Sequence, residues 1–182
     1  MIFLGIGSNL SSSFGDRFKN IDIAITHLRN HNIKIIKKSS FYESYSYPDK
    51  NNPKFINVVI SIETNLMPYD LMSFLISVEQ KLERKRIKKN DPRTCDIDIL
   101  DYKGKIDNIK FNNLKITIPH KMMDKRNFVL YPLKEICPDW THPISKKNID
   151  ILIKELKRSV FKNIEDNEIT KLSQNDINNY VK

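Results

Sequence analysis

Cysteine is scarce in this chain of 182 residues, and long apolar runs are missing from it. The two cysteines, Cys95 and Cys137, lie far apart in mostly apolar surroundings, which is typical of reduced, packed thiols and excludes a disulfide-rich secreted protein. No window approaches the roughly 18 apolar residues of a membrane-spanning helix, and the start MIFLGIGSNL lacks the basic and long apolar regions of a signal peptide. We therefore expect a soluble, cytoplasmic protein that makes no membrane contact.

Glycine is also scarce, with four residues in the whole chain. The sequence contains no Gly-x-x-x-x-Gly-Lys-Ser/Thr loop, no Gly-x-Gly-x-x-Gly turn, no nucleophile elbow and no zinc-ligand spacing. P-loop and Rossmann nucleotide sites are thereby excluded. Any nucleotide must be bound by a different arrangement of residues.

The charge is unbalanced, with 31 Lys and Arg against 22 Asp and Glu and a net charge of +9. Lysine, asparagine and isoleucine are abundant together, as an A/T-biased genome would encode for any protein. The charge therefore indicates nucleic acid only weakly, and an anionic small molecule such as a nucleotide fits it equally well.

Hydrophobic periodicity predicts alternating strands and helices over most of the chain. We expect strands at 1–6, 33–47, 55–64, 95–102 and 114–118, and helices from Asp16, from Pro68, at 126–136 (interrupted or started near Pro132) and at 149–160. This order predicts an α+β fold, a ferredoxin-like βαββαβ sandwich with an antiparallel-dominated sheet, helices on one face and further C-terminal helices. We place one domain at 1–160 and a polar appendage, helical or frayed, at 161–182.

Two aspartates carry the clearest chemical signal. Asp96 and Asp98 are two apart on a predicted strand, so both carboxylates face one side about 6.5–7 Å apart. A hard cation such as Mg²⁺ would relieve their repulsion and bind substrate phosphates as well. Acidic residues beside basic residues suit phosphoryl transfer. The alternative is that the acids lie on a solvated strand face and that the bases lie at a solvated helix end. The bases in question precede the acids in the chain: Lys81, Arg84, Lys85, Arg86, Lys88, Lys89 and Arg93.

Other candidates lie on either side of this segment. Phe55 and Asn57 share one face of a predicted strand and suit a flat heterocycle with a donor and acceptor edge, although core packing is the alternative. His120 follows Pro119 at a strand end, with Arg126 and Phe128 shortly after it. A lone histidine is more often structural than catalytic.

Taken together, these motifs resemble one family. They are Gly7-Ser8-Asn9-Leu10, Ser40-Phe41-Tyr42-Glu43-Ser44, Phe55-Ile56-Asn57-Val58-Val59, Glu79 through Arg84, Pro92-Arg93-Thr94-Cys95-Asp96-Ile97-Asp98-Ile99-Leu100, and Pro119-His120 through Arg126-Asn127-Phe128-Val129-Leu130. Their order and spacing from Ile2 to about Asp139 are similar to those of the 6-hydroxymethyl-7,8-dihydropterin pyrophosphokinases of folate biosynthesis.

The resemblance implies a reaction and a set of residues. ATP, the co-substrate, would donate its β,γ-diphosphoryl group to the pterin hydroxymethyl and leave as AMP. Asp96 and Asp98 would hold two Mg²⁺ ions and act in catalysis with Arg84 and Arg93. The implied pterin residues are Ser44, Tyr45, Tyr47, Phe55, Asn57 and Phe128; the implied ATP residues are Glu79, Arg84, Arg93, Ile99, Lys115, Thr117, His120, Lys121 and Arg126.

The resemblance also implies partners and reveals departures. The implied partners are ATP and a dihydropterin, and no nucleic acid is expected. We also expect the protein to be monofunctional and monomeric. Lys89-Asn90-Asp91 stands where the family usually has Arg-Trp-Gly, so we expect weaker closure of a lid over ATP. Two other interpretations stay open: a nucleic-acid-binding ferredoxin-like domain, and a non-catalytic homologue that serves as a binding module.

Overall fold

An antiparallel sheet organises the computed structural model, which describes residues 1–85, 91–111, 114–160 and 168–180. The strands are β1 (Ile2–Ser8), β2 (Lys34–Lys38), β3 (Tyr42–Ser44), β4 (Phe55–Glu63), β5 (Asp96–Tyr102), β6 (Asp107–Phe111), β7 (Leu114–Ile118) and β8 (Ile169–Lys171). The helices are α1 (Arg17–Asn30), α2 (Pro68–Lys81), α3 (Asn127–Ile136), α4 (Ile149–Val160) and α5 (Gln174–Tyr180).

The main sheet has the order β5-β1-β4-β3-β8, and β2 also pairs with β4. Each of these pairings is antiparallel. The predicted α+β sandwich is therefore confirmed. β6 and β7 form a separate two-stranded hairpin, in which β6 is a strand despite its polar sequence.

The single strand expected at 33–47 is instead two strands, β2 and β3, which lie one after the other along β4. Ser39 interrupts the ladder between them. Its hydroxyl accepts the Val59 N–H at 3.0 Å, in place of a backbone carbonyl, while its own N–H donates to the Val59 carbonyl at 2.9 Å. Such local side-chain bonds compete with a regular ladder, and a hydrophobic pattern does not reveal them.

Different helices cover the two faces of the sheet. Ile2 and Ile6 of β1 and Ile60 of β4 belong to the larger core, which α1 and α2 complete. Phe3 and Val59, which point to the opposite face, belong to a second core with residues of α3 and α4. The predicted C-terminal helices thus cover part of the second face and leave the remainder of it open.

One proline lies at the start of α2, and another lies inside α3. Pro68 is the first residue of α2, as predicted, because the missing N–H of a proline is not needed there. Pro132, in contrast, neither starts nor interrupts α3, which runs from Asn127 to Ile136. The proline removes one backbone donor, but it is buried together with Leu133, and this apolar packing holds the helix together across it.

Asp16 caps α1, since its Oδ1 accepts the Lys19 N–H at 2.8 Å. We expect Asp16→Ala to lower the free energy of unfolding by about 0.5–2 kcal/mol, because a first-turn N–H then lacks its acceptor. Urea denaturation measures the change. Asp16→Asn is the matched control, since asparagine caps nearly as well; an equal loss in both variants would contradict the capping role.

Among the helices of the described ranges, each is too short or too polar to cross a membrane. Cys95 and Cys137 are both free, as predicted.

Candidate functional site

A cleft of about 980 Å³ occupies the open part of the second sheet face. Many of the residues singled out from the sequence line it, although they come from segments between Ser44 and Phe128. They are Ser44, Tyr45, Tyr47, Phe55, Asn57 and Phe128 from the implied pterin set, and Arg84, Arg93, Asp96, Asp98, His120 and Arg126 from the implied phosphate and metal set.

The alternation of side chains along β5 places Asp96 and Asp98 on the cleft. Ile97 and Ile99 point into the larger core and are each 2% exposed, so Asp96 and Asp98 project from the opposite face. The two carboxylates lie on one side of the strand, as the spacing predicts. β5 pairs with the central strand β1, which holds both acids on a rigid element.

Asp96 is held by two arginines. The Arg84 Nη1 atom lies 2.6 Å from Asp96 Oδ1, and the Arg93 Nη1 atom lies 3.1 Å from Asp96 Oδ2. Arg84 also forms an ion pair with Glu79, which is 3% exposed. Burial by itself would lower the pKa of Arg84, but the carboxylates of Asp96 and Glu79 raise that pKa above its ordinary value.

Asp98 has looser partners. Its Oδ2 lies 3.8 Å from His120 Nε2 and 3.7 Å from Arg126 Nη1. Burial, together with the neighbouring Asp96 carboxylate, raises the pKa of Asp98, and the nearby His120 and Arg126 offset this only in part. A carboxylate whose negative charge is poorly compensated is suited to receive a cation.

His120 is oriented by its surroundings. Its backbone N–H donates to the Leu100 carbonyl at 2.8 Å, and its Nδ1 accepts the Met122 N–H at 3.2 Å. Nδ1 is therefore the acceptor nitrogen, and Nε2 is the nitrogen that faces Asp98. Burial lowers the pKa of His120 and the nearby Arg126 adds to this effect, although Asp98 acts in the opposite direction.

Asn57 is a buried amide with a defined orientation. Its Nδ2 donates to the Tyr42 carbonyl at 3.3 Å and to Ser44 Oγ at 3.0 Å. A backbone carbonyl only accepts, so the terminal atom beside it has to be the nitrogen, and Oδ1 faces away. A Cβ built on Gly7 would approach Oδ1 to 3.2 Å and Phe55 Cδ1 to 3.5 Å, so glycine at this position leaves room around the amide acceptor.

Two arginines connect the acids to the aromatic rings of the cleft. The Arg93 guanidinium carbon lies 5.5 Å from the centre of the Phe55 ring, and that of Arg126 lies 5.5 Å from the centre of the Phe128 ring. Each arginine also lies beside one of the two aspartates. The aromatic part of the cleft therefore adjoins its charged part directly.

The acids fit a hard divalent cation. No group of three or more His, Cys, Asp or Glu side chains that could hold a metal occurs among the residues that the structure describes. Mg²⁺ does not require such a protein cage, because it binds through one or two carboxylates together with water and substrate phosphates. Asp96 and Asp98, both oxygen donors on one strand face, match that requirement.

Glu79 and Ile99, two of the implied ATP residues, are buried away from the cleft. Glu79 uses its carboxylate on Arg84 and on the Ile97 N–H, at 2.8 Å in the second case. Ile99 lies in the larger core. Glu79 therefore acts on the site through Arg84, which it holds in place.

The remaining implied ATP residues do not line the cleft. Lys115 and Thr117 are on β7, and Lys121 is exposed beside His120. Lys89 and Asn90 of the altered lid segment lie outside the described residues. The effect of that segment on closure stays a prediction.

Asn9 is a site residue to which the sequence pattern assigns no role. It is 2% exposed, its Oδ1 accepts the Arg93 N–H at 2.6 Å, and its Nδ2 donates to the Pro53 carbonyl at 3.0 Å and to Ser46 Oγ at 3.2 Å. Asn9 thus joins the loop of Arg93 to the loop on the aromatic side of the cleft. The signal in the sequence that could have indicated this role is an amide side chain directly after a strand. The residues to which that amide bonds, however, are 37 to 84 positions away in the chain.

Comparisons with known proteins show what the chain is similar to. Residues 3–138 match the family model described as 7,8-dihydro-6-hydroxymethylpterin-pyrophosphokinase. The chain is 38% identical to the 2-amino-4-hydroxy-6-hydroxymethyldihydropteridine pyrophosphokinase of Aquifex aeolicus, over 80% of this chain and 86% of that protein. It is 35% identical to the protein of the same name from Synechocystis, over 84% of this chain and 74% of that protein.

A solved structure shows the same fold. The crystal structure of wild-type Plasmodium falciparum HPPK-DHPS aligns with a TM-score of 0.69 at 16% identity and covers 96% of this chain. This chain spans 47% of the length of that structure.

Proposed function

Because the chain belongs to the 7,8-dihydro-6-hydroxymethylpterin-pyrophosphokinase family, we propose that its cleft binds ATP and 6-hydroxymethyl-7,8-dihydropterin side by side and transfers diphosphate between them. The protein is a pyrophosphokinase of folate biosynthesis. The observation that carries the proposal for the site is the placement of Asp96 and Asp98 in one cleft with Asn57 and Phe55.

The pterin is assigned to the aromatic part of the cleft. Asn57 Oδ1 offers an acceptor to the N–H groups on the pyrimidine edge of the pterin, since Nδ2 is already engaged by β3. Phe55 and Phe128 supply ring faces for stacking. Ser44, Tyr45 and Tyr47 complete this side, and Tyr47 is 75% exposed, so a bound ligand would add contact area there.

The triphosphate is assigned to the charged part. Arg84, Arg93, His120 and Arg126 line it and provide donors for phosphate oxygens. Arg93 and Arg126 lie next to the phenylalanine rings, so they are placed near the junction between the two substrates. Arginines positioned in this way would stabilise charge that develops on the transferred group.

Asp96 and Asp98 would hold Mg²⁺, and we extend the proposal to two ions. When bound, the metal neutralises phosphate charge and polarises the bond that breaks. The pterin hydroxymethyl oxygen attacks the β-phosphorus of ATP, and the bond from that phosphorus to the oxygen shared with the α-phosphate breaks. AMP leaves with the electron pair of that bond, and the hydroxyl proton is released.

An assay for AMP tests this proposal directly. Purified protein should release AMP from ATP only when 6-hydroxymethyl-7,8-dihydropterin and Mg²⁺ are both present, and the pterin diphosphate should appear in equal amount. Equal AMP release without the pterin would contradict the assignment of the acceptor, and binding of both substrates without AMP release would favour the non-catalytic homologue. The monomeric state and the cytoplasmic location also stay predictions; sedimentation equilibrium would check the first and cell fractionation the second.

Asn57→Ala is expected to weaken pterin binding by about 10- to 100-fold and to leave the affinity for a non-hydrolysable ATP analogue within about two-fold. The N–H groups of the bound pterin lose their acceptor, at a cost of about 1–3 kcal/mol. Isothermal titration with each ligand measures both affinities.

Ser61→Ala provides the matched control for Asn57→Ala. Ser61 is a buried polar residue further along the same strand, outside the cleft. Its substitution should change neither affinity. Equal weakening of both ligands by Asn57→Ala would indicate a structural role for the amide instead.

A further inference from the structure

The described part of the C-terminal segment, residues 168–180, lies beyond the part that the family model matches, and its strand β8 nevertheless belongs to the main sheet. β8 pairs with β3 in antiparallel register, with Glu43 opposite Thr170. The Leu172 N–H continues this pairing by donating to the Phe41 carbonyl at 2.9 Å. β3 has only three residues, so β8 gives this short strand a second neighbour and removes it from the sheet edge.

Side chains anchor the same segment. The Tyr180 hydroxyl donates to Glu43 Oε1 at 2.7 Å, and Lys54 donates to the other oxygen of Glu43 at 3.0 Å. The Arg17 guanidinium carbon lies 5.2 Å from the centre of the Tyr180 ring. Leu172 is 8% exposed and belongs to the larger core. The segment is therefore tied to β3 by its backbone, by one hydroxyl and by apolar packing.

β3 in turn orients the amide that we assign to the pterin. Both acceptors of Asn57 Nδ2, the Tyr42 carbonyl and Ser44 Oγ, belong to this strand. Glu43, between them, is the residue that Tyr180 contacts. A displacement of β3 would thus move both atoms that hold the amide, whereas the arginines on the ATP side are held by other elements.

We propose that residues 168–180 brace β3 and thereby position Asn57 for the pterin, with the backbone of β8 and the Tyr180 hydroxyl as the positioning groups. This inference rests on the proposed function, because it names the pterin as the ligand of that amide. The brace acts on pterin binding and not on ATP binding.

Thr170→Pro tests the brace in the full chain. The Leu172–Phe41 pair is hydrogen-bonded, and such pairs alternate along an antiparallel ladder, so the Thr170–Glu43 pair is the next hydrogen-bonded one. Thr170→Pro removes that donor. Thr170→Ala is the matched control, because the exposed threonine side chain changes and the backbone donor remains.

In steady-state kinetics, Thr170→Pro should raise the KM for the pterin about five- to ten-fold and leave the KM for ATP unchanged. A change of this size corresponds to the net free energy of about one hydrogen bond. Tyr180→Phe keeps the ring and removes the hydroxyl, so it should raise the pterin KM by a smaller factor in the same selective way. If Thr170→Pro does not fold, the KM values of Tyr180→Phe for the pterin and for ATP test the inference by themselves.

Three results separate the outcomes. A lower melting temperature with unchanged KM values in the folded variants would overturn the inference and leave the segment a purely stabilising one. Parallel rises in the KM of ATP and of the pterin would also overturn it. A wild-type protein that does not use the pterin at all would overturn the proposed function instead.

Discussion

Asp98→Asn is expected to lower kcat for diphosphate transfer by about 100- to 1,000-fold while the protein stays folded. The substitution keeps the shape of the side chain and removes the negative charge that would hold Mg²⁺ opposite the triphosphate. Activity assays at saturating ATP and pterin measure the loss, and titration with Mg²⁺ measures the change in metal requirement.

The same substitution should not lower the melting temperature of the metal-free protein. Burial and the Asp96 carboxylate raise the pKa of Asp98 above its unfolded-state value, so its ionised form costs free energy in the folded protein at neutral pH. Asparagine removes that cost, and the melting temperature should stay equal or increase. A loss of activity without a loss of stability is the pattern expected of a functional acid.

Asp101→Asn is the matched control on the same strand. Asp101 is 4% exposed, accepts the Trp140 Nε1–H at 2.9 Å and accepts the Gly104 N–H at 2.8 Å. Its substitution should lower the melting temperature and affect turnover much less. Wild-type turnover in a folded Asp98→Asn protein would contradict the metal-binding assignment.

Arg84→Met is expected to have the largest effect on stability. Arg84 pairs with Glu79, and removal of the guanidinium takes this ion pair away from a carboxylate that is 3% exposed. Breaking a buried pair in this way costs about 3–5 kcal/mol, or a decrease of roughly 6–20 °C in melting temperature for a protein of this size. Thermal denaturation followed by circular dichroism measures the shift.

The double variant Glu79→Gln, Arg84→Met distinguishes the contribution of the ion pair to stability from the contribution of Arg84 to turnover. It also removes the buried charge of Glu79, so it should recover much of the lost stability, but turnover should stay low because a phosphate-binding arginine is missing. Arg93→Met should lower the melting temperature less than Arg84→Met does, since Asp96 keeps Arg84 as its partner. A single Arg84→Met variant as stable as the wild type would show that Glu79 does not depend on this ion pair.

Local patterns along the chain were enough to predict the larger elements and the position of the acids. The apolar spacing in α2 and its proline start predicted that helix, and the alternation of β5 predicted that Asp96 and Asp98 share a face, because side-chain direction in a helix or strand follows directly from its period. The local residue types also indicated the phosphate chemistry. These properties depend on neighbours within a few residues.

The positions of the remaining elements, and the contacts between distant residues, depend on how the whole chain packs. Ser39 divides the strand expected at 33–47 through a bond to Val59, 20 residues away. Asn9 joins two loops that are distant in sequence, and the polar strand β8 pairs with β3 although no apolar alternation marks it. The physical reason is the same in each case: a buried hydrogen bond requires a partner, and that partner is supplied by the packing of remote segments, which local pattern and propensity do not encode.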